Sequence, residues 1–420
     1  MAGLFARSAV ILALAATMIA TSTTDGEATA RRRSSHHTAH NRHVSTHRLH
    51  RRHHRHRRPH LLPVSPDAPT AELVFDAETG RVLAVANPDQ QVYPASLTKM
   101  MTLYLAFRAM EQGWLSGDAS FMVSEHAAAA PPTKLGLRNG EYVLVEDLIR
   151  GAVTESANDA ARVLAENLDR DYGARLLNLL RDDIAGLADD NADDDDPSDA
   201  SDNAAEIASL NSLAASVALD GSEEDFARRM TLQARLLGMD DTTFRNASGL
   251  PDAAQVTTAP DMANLAYALV HMPPRYYQYF SIQYFDFRGR SHHNHNLRFL
   301  TGYDGADGIK TGYTRDGGFN VVDTARHGEQ RLIAVVLGRR SHADRDADVR
   351  ALLDAGFATN HASLPTPEGD AVVIGATLDF PEVTHVTLQA RANAGPTLAS
   401  ATTGASTTNA SVGVASPGLR

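Results

Sequence analysis

Cysteine is absent from all 420 residues. That removes a disulfide framework, a thiolate nucleophile and a cysteine-based zinc site. The chain can work in an oxidising compartment without depending on it. Length is missing from the apolar run near the start. Ala9 to Ala20 falls short of the roughly 20 residues that a membrane-spanning helix needs. Arg7 precedes the run and Ala28-Thr29-Ala30 follows it, which is the layout of a cleaved signal peptide. We assign residues 1–30 to that segment, with an uncleaved anchor as the alternative. Export to the periplasm or the extracytoplasmic face of the cell membrane is the expectation.

Acidic residues are missing from positions 31–60, where ten Arg and ten His stand instead. The formal charge of −12 therefore hides an asymmetry, since residues 1–30 carry −1 and 31–60 carry +10, which leaves −21 for the remainder. With no acids and almost no apolar residues, the arm cannot form a core of its own. Residues 31–66 read as a disordered linker. Contact with a membrane or anionic polymer and weak chelation of divalent metal by the histidines are the other readings. Nucleic acid is not expected as a partner.

What is present suffices for a globular body, with 43 % hydrophobic residues. AELVFDAETGRVLAVAN, from Ala71, alternates about an Ala-Glu-Thr-Gly turn and predicts a hairpin. Pro94 and Ser96 lead into a long apolar helix ending near Gly113. Helical periodicity runs from Val145 to Leu168, broken around Glu155 to Asn158. Ser222 reads as the N-cap of a further helix, with Asp225 at N3. Gly308–Thr311, Phe319–Ala325 and Arg331–Leu337 read as strands, the last two joined as a hairpin, and a helix from about Ala343 to Gly356 closes the domain. These elements predict one mixed sheet built from both ends of the chain. Past Asn360 come two weak strand candidates and a Thr/Ala/Ser/Gly-rich tail, so residues 361–420 read as a largely disordered extension.

Residues 189–202 (DDNADDDDPSDASD) are acidic but make a poor calcium loop. Asp194 stands where the turn glycine belongs, and Ala200 where the bidentate glutamate belongs. No metal and no cofactor is expected.

The chemistry begins at PASLTKMM, residues 94–101, where Lys99 opens an almost wholly apolar helix. An unpaired buried charge is costly. Residues three apart share a helix face, so Lys99 points the way Ser96 points. Burial favours the neutral amine, and a neutral amine can take a proton from a serine hydroxyl that is otherwise a poor nucleophile. Alone the spacing is weak, because a lysine snorkelling from a helix start produces it too. Ser156-Ala157-Asn158 adds a second hydroxyl and a carboxamide at a helix break. Lys310-Thr311-Gly312, at the end of a predicted strand, adds a cation and hydroxyl able to hold a carboxylate, and a glycine that allows close backbone approach.

S-x-x-K, S-x-N and K-T-G in that order form the signature set of penicillin-binding proteins and class A β-lactamases. Over residues 70–358 the sequence resembles the low-molecular-weight penicillin-binding proteins, the serine-type D-Ala-D-Ala carboxypeptidases of peptidoglycan processing. DAETG (76–80), YPASLTKMMT (93–102), LGLRNG (135–140), SANDA (156–160), FRNASGL (244–250) and DGIKTGYT (307–314) carry the resemblance. It implies an α/β (α+β) fold of the DD-peptidase/β-lactamase type, a mostly antiparallel sheet flanked by helices. It also implies Ser96 as acyl-ester nucleophile, Lys99 as its proton acceptor and Ser156 as proton relay. Asn158 would orient substrate, Lys310, Thr311 and Gly312 would bind the terminal carboxylate, and the backbone N–H groups of Ser96 and Tyr313 would form the oxyanion hole. His295 matches a basic position near substrate, and reads equally as a plain strand residue. Peptidoglycan stem peptides are the implied substrate and β-lactams the implied inhibitors.

The sequence departs from the family in two places. The second and third motifs stand about fifty residues further apart than the family's, so residues ~170–216 read as an acidic insertion burying little surface. No β-rich domain or amphipathic anchor is recognisable after Asn360. The catalytic domain is placed at 67–360. A serine β-lactamase and a catalytically idle envelope-binding protein are the rival readings.

Overall fold

The computed structural model describes residues 69–190, 197–218 and 220–361. The signal peptide, the Arg/His arm and nearly all of the C-terminal extension lie outside the described residues. Strands β1 (Ala71–Asp76) and β2 (Val82–Ala86) form the opening hairpin. Its turn is organised by Asp76, whose Oδ1 accepts hydrogen bonds from the N–H groups of Glu78 (3.1 Å) and Thr79 (2.9 Å). A 3-10 turn, Ala95–Leu97, leads into α1 (Thr98–Glu111). Next come β3 (Ser120–Met122), α2 (Glu125–Ala128), β4 (Tyr142–Leu144), α3 (Val145–Thr154), α4 (Asn158–Asp190) and α5 (Pro197–Ser216). Helices α6 (Glu223–Leu236), α7 (Ala259–Val270) and α8 (Pro274–Tyr277) precede the hairpin β5 (Tyr284–Phe287) and β6 (Arg290–His293). The chain ends with α9 (Leu297–Leu300), β7 (Ala306–Thr314), β8 (Gly318–His327), β9 (Gln330–Arg339) and α10 (His342–His361).

The main sheet has the order β2-β1-β9-β8-β7, and every pairing in it is antiparallel. The expectation of a mixed sheet is corrected in this respect. Strand β1, from the start of the chain, lies against β9, from its end, with Leu73 opposite Val335. RLIAVVL is continuously apolar because both faces are covered. Leu332, Ala334 and Val336 face Val349, Leu353 and Phe357 of α10. Ile333, Val335 and Leu337 face the larger core containing α1 and α7. Helix α1 is buried from Thr98 through Ala109, as an all-round apolar helix should be. Ser222 caps α6 by accepting a hydrogen bond from the Asp225 N–H (3.0 Å).

The expectation that residues 170–216 bury little surface also needs correction. Residues 170–190 extend α4 and residues 197–216 build α5. Leu177, Leu180 and Ile184 of α4 meet Leu210 and Ala214 of α5 over Leu232 and Leu236 of α6. Positions 177, 180 and 184 follow helical spacing, a period that averaging over a run of aspartates conceals. The Asp183 carboxylate also pairs with the buried Arg108 of α1 at 2.7 Å. Residues 197–202 begin α5 rather than completing an acidic loop. Among the described residues no helix is long and apolar enough to cross a membrane.

Candidate active site

Three parts of the chain meet at the α1 N-terminus. The 3-10 turn carries Ser96, the α3–α4 junction carries Ser156 and Asn158, and edge strand β7 carries Lys310 to Tyr313. Asn320 of β8 holds the first in place, its Nδ2 donating to the carbonyl of Tyr93 at 2.9 Å and its Oδ1 accepting from Gly338 N–H at 2.8 Å. Gly312 brings β7 against the same turn. A Cβ there would stand 3.0 Å from the Pro94 oxygen and 3.1 Å from the Ser96 nitrogen.

Lys99 is fully buried, and its Nζ has three oxygen neighbours. Ser96 Oγ lies at 3.1 Å, Asn158 Oδ1 at 2.7 Å and the Ser248 carbonyl at 2.5 Å. Two of these can only accept. A neutral amine has two N–H groups and one lone pair, so the N–H groups go to Asn158 and Ser248. The lone pair is left facing the Ser96 hydroxyl. Burial, and next the nearby Lys310 charge, push the Lys99 pKa well below its ordinary value, while Glu223 and Asp159 oppose the shift. The site thus favours the protonation state that can accept a proton.

Ser156 has φ +55°, in the left-handed region that non-glycine residues seldom occupy. Its Oγ is buried without a hydrogen-bond partner among the described residues. A buried orphan hydroxyl costs about 1–3 kcal/mol, and such strain at a cleft marks a group reserved for a ligand. Asn158 is fixed on its other side, its Nδ2 donating to the Pro131 carbonyl at 3.0 Å. Lys310 is also buried, and its Nζ donates to the Thr311 carbonyl at 2.9 Å. Burial and then Arg345 lower its pKa to about 7, so a bound anion would find a cation that strengthens as it binds. Thr311 is buried beside it. His295 is not a strand residue. It sits between β6 and α9 with its backbone N–H on the Thr154 carbonyl (3.1 Å). The residue is exposed, yet desolvation of the imidazole and then the nearby Lys310 charge lower its pKa to about 3. It is therefore neutral at neutral pH.

The sequence reading missed what holds these groups. The Ser248 carbonyl belongs to the FRNASGL loop, which Asn246 Oδ1 shapes by accepting from the N–H groups of Gly249 (2.7 Å) and Leu250 (3.2 Å). Glu223 Oε1 anchors that loop through the Ala247 N–H at 3.0 Å, while its Oε2 pairs with Arg162 at 3.0 Å and approaches His126 at 3.7 Å. Asp159 performs the same service for LGLRNG, accepting from Leu135, Gly136 and Leu137 at 2.8–3.0 Å. Two of the quoted motifs are thus fastened to the site by carboxylates on α4 and α6. Glu223→Gln keeps an acceptor for Ala247 but removes a charge that raises the Lys99 pKa. The amine then stays neutral to lower pH, so the acidic limb of the acylation rate should move to lower pH. A pH profile of acylation that superimposes on the wild-type curve would refute this coupling.

The chain matches the D-alanyl-D-alanine carboxypeptidase family over residues 64–171 and 200–341. It is 31 % identical over 298 residues to the D-alanyl-D-alanine carboxypeptidase DacD of Salmonella typhimurium, covering 69 % of this chain and 63 % of that protein. The chain therefore spans less than two thirds of the length of this curated relative. Among solved structures it is similar to the D-alanyl-D-alanine carboxypeptidase DacD of Francisella tularensis, at 26 % identity and TM-score 0.54 over 71 % of this chain and 72 % of that one. It is also similar to penicillin-binding protein D2 of Listeria monocytogenes in its cefotaxime-bound form, at 27 % identity and TM-score 0.51 over 68 % and 96 % of the two chains.

Proposed function

Since the chain belongs to the D-alanyl-D-alanine carboxypeptidase family, we propose that it is a serine peptidase removing the terminal D-alanine from peptidoglycan stem peptides. The coordination of Lys99 carries this reading, because its lone pair is left to Ser96 alone. In the first step Ser96 Oγ attacks the carbonyl carbon of the penultimate D-alanine while its proton passes to Lys99 Nζ. Negative charge developing on the carbonyl oxygen is met by the N–H groups of Ser96 and Tyr313, as in other oxyanion holes. The C–N bond then breaks, and the departing amine receives the Lys99 proton through Ser156 Oγ. Water then attacks the ester carbon, giving a proton to Lys99; the bond to Ser96 Oγ breaks, Lys99 returns that proton to Ser96, and the shortened peptide leaves with a new carboxylate. Throughout, Lys310 and Thr311 hold the terminal carboxylate, Gly312 lets the backbone come close, Asn158 orients the peptide amide, and neutral His295 borders the cleft as a hydrogen-bonding group. No cofactor enters the sequence.

This reading places the enzyme outside the cytoplasm, delivered by the signal peptide (1–30), with the Arg/His arm (31–66) spacing it from an anionic surface. The catalytic domain is taken to span residues 67–360.

A β-lactam presents a strained amide where the scissile bond would lie, so Ser96 should be acylated by penicillin. Escape requires a second base, which class A β-lactamases supply as a glutamate. Here Glu166 is turned to His126 Nδ1 at 2.7 Å, and position 157 is Ala. A chromogenic cephalosporin should therefore give one stoichiometric burst, and intact mass one adduct that persists for minutes. Sustained turnover near ~10 s⁻¹ would make the protein a β-lactamase and overturn the proposal.

A further inference from the structure

The cleft has two walls that belong to different parts of the chain. Ser156 and Asn158 stand at the α3–α4 junction and Lys310 stands on β7, so the span between the walls depends on what joins them. Asn294-His295-Asn296, between β6 and α9, is such a joint. On one side the His295 N–H donates to the Thr154 carbonyl at 3.1 Å, two residues before Ser156. Just ahead of the joint, His292 Nδ1 meets Glu155 Oε2 at 3.0 Å. On the other side Asn296 Nδ2 donates to Asp323 Oδ1 at 2.6 Å. Asp323 lies on β8 directly opposite Ile309, the residue before Lys310. Asn294 stiffens the joint itself. Its Oδ1 accepts from the Asn296 N–H and its Nδ2 donates to the Ile282 carbonyl, both at 2.8 Å.

A carboxyl is a costly group to bury for the sake of one amide. Asp323 is fully buried, and its Oδ2 has no hydrogen-bond partner among the described residues. No cation pairs with it there, since Arg345 is engaged by Asp346. Burial pushes its carboxyl up to about 8, with the Asn296 hydrogen bond and then Arg345 opposing. At neutral pH it therefore stands mostly protonated, close in shape and charge to a carboxamide. Two residues to either side on β8, Val321 and Ala325 belong to the apolar core beneath α10, where packing alone would call for a hydrocarbon side chain. Resting on the carboxypeptidase reading, we propose that Asp323 is a positioning residue of the reaction. Through Asn296 it ties the Ser156 wall to the sheet beside Lys310, and so fixes the span between the proton relay and the carboxylate-binding group.

Two double variants test this, with kcat/KM for D-alanine release and thermal unfolding read side by side. Asp323→Leu/Asn296→Leu removes acceptor and donor together, a replacement that can be nearly neutral for stability. Its Tm should stay within about 4 °C of the wild type, while kcat/KM falls on the order of 10²-fold, the effect of a displacement near 1 Å. Asn296→Asp alone sets two carboxyls face to face and should also be slow. Adding Asp323→Asn exchanges donor and acceptor across the same contact, and should recover kcat/KM by about tenfold. A Leu/Leu variant as fast as the wild type overturns the proposal, as does an exchanged pair no faster than Asn296→Asp. A rate loss that merely accompanies loss of the fold makes the contact a structural one and overturns it too. Absence of D-alanine release from the wild type would instead overturn the carboxypeptidase reading beneath it.

Discussion

Lys99→Ala is expected to slow acylation on the order of 10⁴- to 10⁶-fold, as far as Ser96→Ala does, and the double variant should be no slower than either. Groups that act as one unit are not additive. Lys99 Nζ is the group placed on Ser96 Oγ, at 3.1 Å, and without it the hydroxyl keeps its proton. The variant also leaves Asn158 Oδ1 and the Ser248 carbonyl without their shared donor, so a loss of stability should accompany the loss of rate. Rates of penicillin acylation for the three variants decide the matter. An independent, multiplicative loss in the double variant would show that Lys99 does not act through Ser96.

Gly249→Ala should slow acylation about 10²-fold, although Gly249 touches no substrate in the proposed reaction. Its φ is +83°, and a Cβ would lie 1.8 Å from the Ala95 oxygen and 2.9 Å from the Ser96 nitrogen. Those obstacles are backbone atoms and cannot rotate aside. Either the loop carrying the Ser248 carbonyl or the turn carrying Ser96 must shift, and a displacement near 1 Å costs about 10²-fold in rate. The left-handed conformation adds about 1–3 kcal/mol of strain for a residue with a Cβ. Thermal unfolding and acylation kinetics should therefore both suffer. Acylation at the wild-type rate would mean that the loop and the turn are not as tightly abutted as described.

The parts of the site that were legible in the sequence are those written in side chains at short spacing. Ser96 and Lys99 stand three apart on one helix face, and Ser156 and Lys310 were found because their tripeptides follow in the family's order. The third partner of Lys99 was not legible. It is a backbone carbonyl 149 residues away, and a carbonyl has no residue type. Glu223 was equally hidden, because its task is to hold an N–H group in a loop. FRNASGL was quotable as family text without its physical reason, which is that Gly249 must pass against Ala95 while Asn246 turns the chain. In the fold, hairpins and helices followed from periodicity, but the all-antiparallel order did not, since pairing of β1 with β9 joins distant parts of the chain. The helical hairpin at 170–216 was missed because composition, unlike spacing, does not reveal that a few leucines share one face.

Incubating the protein with a peptide ending in D-Ala-D-Ala, and measuring free D-alanine beside the Ser96→Ala variant, tests the central claim most directly. The wild-type protein should release one D-alanine per peptide over many turnovers, and the variant none above the uncatalysed rate. Release that persists in the Ser96→Ala variant, or none from the wild type, would contradict the account.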